Sequence, residues 1–81
     1  MKSNYAEFSE WLAERLGVKI VTEDINLFES GLVDSLLLVE MTGLIEALAN
    51  ISIEFDDETF KTMSSLKMIK TTYFTEKVRD V

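Results

Sequence analysis

The sequence contains no cysteine, no histidine and no proline in 81 residues. Without cysteine the chain can form no disulfide and has no thiolate nucleophile. Without histidine it has no imidazole base, no Ser-His-Asp triad and none of the usual nitrogen ligands for zinc. We therefore expect a protein with no catalytic residues and no metal site of its own, and not an enzyme.

Long apolar runs are also absent. The longest aliphatic run covers residues 36–39, far fewer than the roughly 20 residues of a membrane span, and the first residues show no apolar signal-peptide core. We expect no membrane insertion, a cytoplasmic location and a monomer. The length suits a single domain over residues 1–81, and an apolar content of 47% is enough for the chain to fold.

Basic residues are missing from the middle of the chain. The net charge is −7, and residues 20–60 contain ten carboxylates without one Lys or Arg. A nucleic acid partner is disfavoured, because neutralising phosphates requires clustered basic side chains. The acidic stretch either serves solubility or forms a docking surface for basic partner proteins.

The spacing of apolar residues predicts an all-α fold, a small four-helix bundle of three longer helices and one short helix. The first helix is predicted over 4–16, with Asn4 as its N-cap and Gly17 as its C-terminal stop. Residues 17–34 form an unusually long connection that is rich in apolar residues. We expect it to pack across the helices, with a helical turn near 23–28.

The second helix is predicted over 35–49, with Asp34 as its N-cap. The remaining elements are, in order, a β-like stretch over 51–55, a turn or short helix over 57–61, and a last helix over about 63–78 capped by Thr62.

Two different faces are predicted on the second helix. One arc of the helical wheel is wholly apolar and suits the core: Leu37, Leu38, Met41, Leu44, Ile45 and Leu48. Another arc mixes aliphatic, small and acidic residues: Leu36, Val39, Glu40, Gly43, Glu46 and Ala47. Either Leu36 and Val39 pack against the long loop, or this second arc is an interaction patch.

Ser35 is predicted at the start of this helix, and the chain offers no base to activate its hydroxyl. A helix N-terminus has free N–H groups and the positive end of the helix dipole, so it stabilises a phosphate ester. The hydroxyl is therefore suited to accept a phosphate-containing group from another enzyme. The alternative is that Asp34 and Ser35 are ordinary residues of a helix start.

The segment 27–36, Leu-Phe-Glu-Ser-Gly-Leu-Val-Asp-Ser-Leu, resembles the signature of the acyl carrier protein superfamily, which includes peptidyl and D-alanyl carriers. In that family an Asp-Ser-Leu triplet opens the second helix. Its Ser receives 4′-phosphopantetheine from coenzyme A through a phosphopantetheinyl transferase. The run is more similar to aminoacyl, peptidyl and D-alanyl carriers than to fatty-acid carriers, and the helix order extends the resemblance over the chain.

The resemblance implies that Ser35 holds the arm as a phosphodiester and that Asp34 presents Ser35 to the transferase and its metal. An acyl or aminoacyl group would be carried on the arm as a thioester. The residues implied to face partner enzymes are Leu36, Val39, Glu40, Gly43 and Glu46. Gly43 departs from the family, in which a larger apolar residue is common at this place.

The implied partners are the transferase, an acyl- or aminoacyl-loading ligase or adenylation enzyme, and a downstream synthase or transferase. A free-standing carrier in secondary-metabolite biosynthesis, of the non-ribosomal peptide or polyketide kind, fits the length. Two alternatives are a fatty-acid-type carrier and an unmodified acidic helical adaptor for a basic protein. A calcium module on Asp56, Asp57 and Glu58 is disfavoured, because the run lacks the spaced ligands and the Gly of an EF-hand loop.

Overall fold

A computed structural model describes residues 3–74, which form four helices and no strand. The helices are α1 (Asn4–Leu16), α2 (Ser35–Ala49), α3 (Asp57–Thr62) and α4 (Leu66–Tyr73). The predicted all-α bundle is confirmed. Among the described residues, no helix combines the length and the apolar content that crossing a membrane requires.

The N-cap of α1 is Ser3, so the expected cap at Asn4 is wrong by one residue. The Ser3 side chain accepts a hydrogen bond from the Ala6 N–H at 3.1 Å. Asn4 is instead the first helical residue, and its side-chain amide donates to the Leu48 carbonyl at 2.7 Å. This bond ties the start of α1 to the end of α2. Gly17 ends α1 with a φ of 73°, the left-handed conformation that favours glycine.

The bounds of α2 are as predicted. Asp34 is the N-cap, and Asn50 ends the helix in the left-handed conformation with a φ of 58°. The apolar arc of α2 faces the core, where Leu38, Met41 and Ile45 are fully buried and the other leucines of the arc are partly buried. The fully buried large side chains of the described residues are Phe8, Leu12, Leu27, Leu38, Met41, Ile45, Met63, Leu66 and Ile69.

The long connection between α1 and α2 consists of turns rather than a helix. The one α-turn of its second half lies slightly later than expected, where the Asn26 carbonyl accepts the Ser30 N–H at 3.0 Å. The connection packs across the helices as predicted, since Val21, Leu27 and Val33 are buried.

The second half of the chain departs from the sequence expectations in two places. Residues 51–55 form no strand ladder, and α4 begins at Leu66 rather than near residue 63. The cap of α4 is Ser65, whose hydroxyl oxygen accepts the Met68 N–H at 3.2 Å. The expected cap, Thr62, belongs to α3, and its hydroxyl lies 2.7 Å from that of Tyr73. The predicted residues 75–78 of the last helix lie outside the described part of the chain.

Candidate functional site

The start of α2 is held in place by the loop before it. The Leu27 N–H donates to the Ser64 carbonyl at 2.7 Å, and the Val33 N–H donates to the Leu27 carbonyl at 3.0 Å. Leu27 is fully buried and Val33 is 4% exposed. Two buried side chains and two backbone hydrogen bonds therefore fix the chain two residues before Ser35.

A tight turn brings residues 27 and 33 together. The side-chain oxygen of Asn26 accepts the N–H groups of Phe28 and Glu29 at 3.0 and 2.9 Å. Gly31 has a φ of 82°, and its N–H donates to the Phe28 carbonyl at 3.1 Å. Asparagine stabilises such turns through its side chain, and glycine adopts this φ without strain.

Asp34 and Ser35 form the first residues of the site. The Asp34 backbone is extended, and its carboxylate accepts the Leu37 N–H at 2.9 Å, which satisfies one free donor of the first helical turn. Ser35 is the first residue of α2 and is exposed to solvent. A negative group on its hydroxyl would lie at the positive end of a helix of 15 residues.

Leu36 and Val39 lie next to Ser35 on the outer face of α2. Leu36 is 71% exposed and Val39 is 59% exposed, so the alternative in which they pack against the long loop is wrong. Gly43 continues the same face one turn further on and is exposed, and a Cβ added there would meet nothing within 4 Å. The three positions form an exposed apolar strip, without a side chain at Gly43, that a partner can reach.

The two carboxylates of the predicted partner face both have intramolecular partners. Glu40 forms an ion pair with Arg15 of α1. Glu46 is half-buried, and its carboxylate accepts the Ile53 N–H at 2.7 Å, which holds the segment after α2 against the helix. Sequence reasoning missed Arg15 and Ile53, because helix periodicity does not show which residue of another element reaches a given carboxylate.

The acidic run of α3 has a structural role. Asp56 is the N-cap of α3, and its carboxylate accepts the Glu58 N–H at 3.0 Å. The Asp56 N–H in turn donates to the Thr59 hydroxyl at 3.0 Å, which completes a capping box. Over residues 3–74, no three or more acidic side chains are grouped in a way that would hold a metal ion.

An open cleft of about 1090 Å³ lies at the other end of the molecule. Residues that line it include Asn4, Tyr5, Glu23, Ala49, Lys67 and Lys70. Ala49 ends α2, so at about 1.5 Å of rise per residue the cleft is roughly 20 Å from Ser35 along the helix. The cleft is therefore not part of the site at Ser35.

Fold and site together define a small helical domain that offers an exposed serine at the start of the longest helix among residues 3–74. The chain has no histidine or cysteine to act on this serine. The family model described as "Phosphopantetheine attachment site" matches residues 6–69, well over half of the chain. The chain belongs to this family of phosphopantetheine-binding carrier proteins. No curated protein and no solved structure gives a significant match.

Membership of the family confirms the resemblance to the carrier protein superfamily and identifies the cofactor as 4′-phosphopantetheine. Carrier domains of this kind are generally not catalytic, and they interact with phosphopantetheinyl transferases and other partner enzymes. The described residues fit the group, because an exposed hydroxyl at the first position of α2 leaves room for a phosphodiester.

Proposed function

We propose that Ser35 is the residue to which 4′-phosphopantetheine is attached, and that the chain forms one carrier domain over residues 1–81. The observation that carries the proposal is the exposed Ser35 hydroxyl at the first position of α2, directly after the Asp34 cap and inside the matched range. When attached, the arm supplies the thiol that the chain lacks, and an acyl or aminoacyl group is carried on it as a thioester.

The chain's own contribution is attachment and presentation. Asp34 caps α2 and so fixes the backbone from which the Ser35 side chain extends. A carboxylate one residue from the accepting hydroxyl also suits the metal ion that a transferase brings with coenzyme A. The chain has no histidine to take the hydroxyl proton, so in this proposal the transferase supplies the base.

The outer face of α2 serves as the surface for partner enzymes in this proposal. Leu36, Val39 and Gly43 form its exposed apolar strip, which would enter a shallow apolar pocket of a partner. Glu40 and Glu46 flank the strip, and their charges favour partners with basic patches.

We also propose that the carrier is of the aminoacyl or peptidyl kind and works in secondary-metabolite biosynthesis. The run Glu-Ser-Gly-Leu-Val-Asp-Ser-Leu before and into α2 supports this subtype over the fatty-acid type. The partners would then be a transferase, an aminoacyl- or acyl-loading ligase or adenylation enzyme, and a downstream synthase or transferase.

The attachment is tested by mass spectrometry of the intact chain. The apo protein is incubated with coenzyme A, magnesium and a broad-specificity phosphopantetheinyl transferase. We expect the wild type to gain the mass of one phosphopantetheine unit and Ser35→Ala to gain none. Ser52→Ala, which removes another exposed serine hydroxyl, is the matched control and should be modified like the wild type. An unmodified wild type, or a modified Ser35→Ala, would contradict the proposal.

The subtype is tested by the mass of the protein purified from its own host. An aminoacyl or short peptidyl group on the arm supports the proposed subtype. A long saturated acyl chain would favour the fatty-acid type, and a mass equal to that of the bare polypeptide would favour an unmodified adaptor.

A further inference from the structure

The predicted partner face of α2 is less anionic in the structure than in the sequence. Residues 20–60 contain no basic residue, yet Arg15 from α1 forms an ion pair with Glu40 at the edge of that face. The packing of α1 against α2 therefore places a positive charge at Glu40, in a stretch of sequence whose own charged residues are all acidic.

Arg15 is held in this position from two sides. Its guanidinium carbon lies 5.6 Å from the centre of the Trp11 ring, one turn earlier on α1, and its nitrogen contacts the Glu40 carboxylate. A cation–π contact with tryptophan attracts the guanidinium, and the planar guanidinium can bind a carboxylate at the same time. The Arg15 and Glu40 side chains are 46% and 43% exposed, so a docking protein can reach both.

We infer that Arg15 determines partner specificity by competing with a partner's basic residues for Glu40. This inference rests on the proposed function, in which the outer face of α2 meets basic partner enzymes. A lysine or arginine of a partner that binds Glu40 must displace Arg15 or share the carboxylate with it. A partner that docks only on Leu36 and Val39 meets no such competitor. Arg15 therefore lowers the affinity of partners that bind Glu40 and leaves the affinity of the others unchanged.

The direction of the effect follows from the exposure of the pair. An exposed ion pair is weak, so a partner's basic residue can replace Arg15 at Glu40. The free energy lost with the Arg15–Glu40 pair then reduces the net binding free energy of the partner. Removing the Arg15 charge frees Glu40 and makes the face more negative by one unit. We therefore expect Arg15→Gln to bind basic partners up to about fivefold more tightly, the upper end of what exposed ion pairs contribute.

Two assays with the full chain test the inference. In the first, kcat/KM of the broad-specificity transferase is measured on the apo chain. In the second, a fluorescently labelled hexa-arginine peptide is titrated with the chain at low ionic strength and followed by anisotropy. The matched control is Lys67→Gln, which changes the net charge equally on α4 at the end of the molecule distant from Ser35.

We expect Arg15→Gln to exceed both the wild type and Lys67→Gln in both assays. In a Glu40→Gln background, Arg15→Gln should have no more effect than Lys67→Gln, because the contested carboxylate is gone. Equal values for Arg15→Gln and Lys67→Gln in either assay, or weaker binding by Arg15→Gln, would overturn the inference. If the wild type gains no phosphopantetheine at all, the proposed function fails, and the peptide titration alone then decides whether Arg15 competes for Glu40.

Discussion

Near the start of α1, the Tyr5 hydroxyl donates a hydrogen bond to the Glu23 carboxylate at 2.6 Å, and the Lys70 ammonium lies 5.1 Å from the Tyr5 ring centre. Burial raises the pKa of Tyr5 above its ordinary value of 10.0, and the hydrogen bond and charge of Glu23 raise it further. Above pH 10 the unfolded chain loses this proton while the folded chain keeps it. The contribution of Tyr5 to stability is thus complete below pH 10 and is lost as the pH rises beyond it.

Replacing Tyr5 by Phe separates this effect from the other groups that titrate at high pH. At pH 7 we expect Tyr5→Phe to lower the free energy of unfolding by about 1 kcal/mol, because the hydrogen bond to Glu23 is lost. Between pH 10 and pH 11 the variant should lose less stability than the wild type. Urea unfolding followed by circular dichroism at both pH values measures this difference, and equal losses in the two proteins would contradict it.

The residues at the proposed attachment site could be placed at a helix start from the sequence, but the charge pairing around them could not be predicted. Asp34 and Ser35 could be placed because helix-start chemistry depends on neighbours within three residues along the chain. The partners of Glu40 and Glu46 come from α1 and from Ile53. Those contacts depend on how the elements pack, and a single sequence carries no direct signal for that.

For whole elements, the ranges of α1 and α2 were predicted correctly, but the capping residue was correct only for α2. The cap of α2 is Asp34, although Ser35 beside it is an equally good capping residue. The starts of α1 and α4 each offer alternatives, and the structure uses Ser3 and Ser65 there. Tertiary contacts decide between them, since Asn4 bonds to Leu48 and the Thr62 hydroxyl pairs with that of Tyr73.

The two roles of Asp34, helix cap and charge beside Ser35, can be separated by substitution. Asp34→Ala should lower the free energy of unfolding by about 1 kcal/mol, because the Leu37 N–H loses its acceptor. Asp34→Asn should keep nearly the wild-type stability, since asparagine caps equally well. Thermal melts of the three proteins measure this, and equal melting temperatures for Asp34→Ala and Asp34→Asn would argue against a capping role.

The same pair of variants tests the charge at the site. If the carboxylate helps the transferase and its metal to reach Ser35, phosphopantetheinylation of Asp34→Asn should be slower than that of the wild type at equal stability. A control at another cap, Asp56→Asn on α3, should be modified at the wild-type rate. Equal rates for Asp34→Asn and the wild type would show that Asp34 acts as a cap alone.

In the whole molecule, the position of Ser35 depends on a core to which α1, the long connection, α2 and α4 all contribute buried side chains. Leu27 lies at the centre of this arrangement, because its side chain is fully buried and its backbone joins Ser64 before α4 to Val33 before α2. The long connection is thus a packed structural element. Its hydrogen bonds connect the residue before the cap of α4 with the residue before the cap of α2.

Truncating Leu27 should therefore disturb both the stability of the domain and its modification. Removing a fully buried leucine side chain costs about 2–5 kcal/mol, a large share of the stability of a domain this small. We expect Leu27→Ala to melt at a much lower temperature and, where it is partly unfolded, to be modified more slowly by the transferase. Ile20→Ala, which shortens a side chain that is 77% exposed in the same connection, should change the stability by no more than about 0.5 kcal/mol. Similar melting temperatures for the two variants would mean that the connection does not anchor α2, and the start of α2 would then owe its position to its own packing on α1.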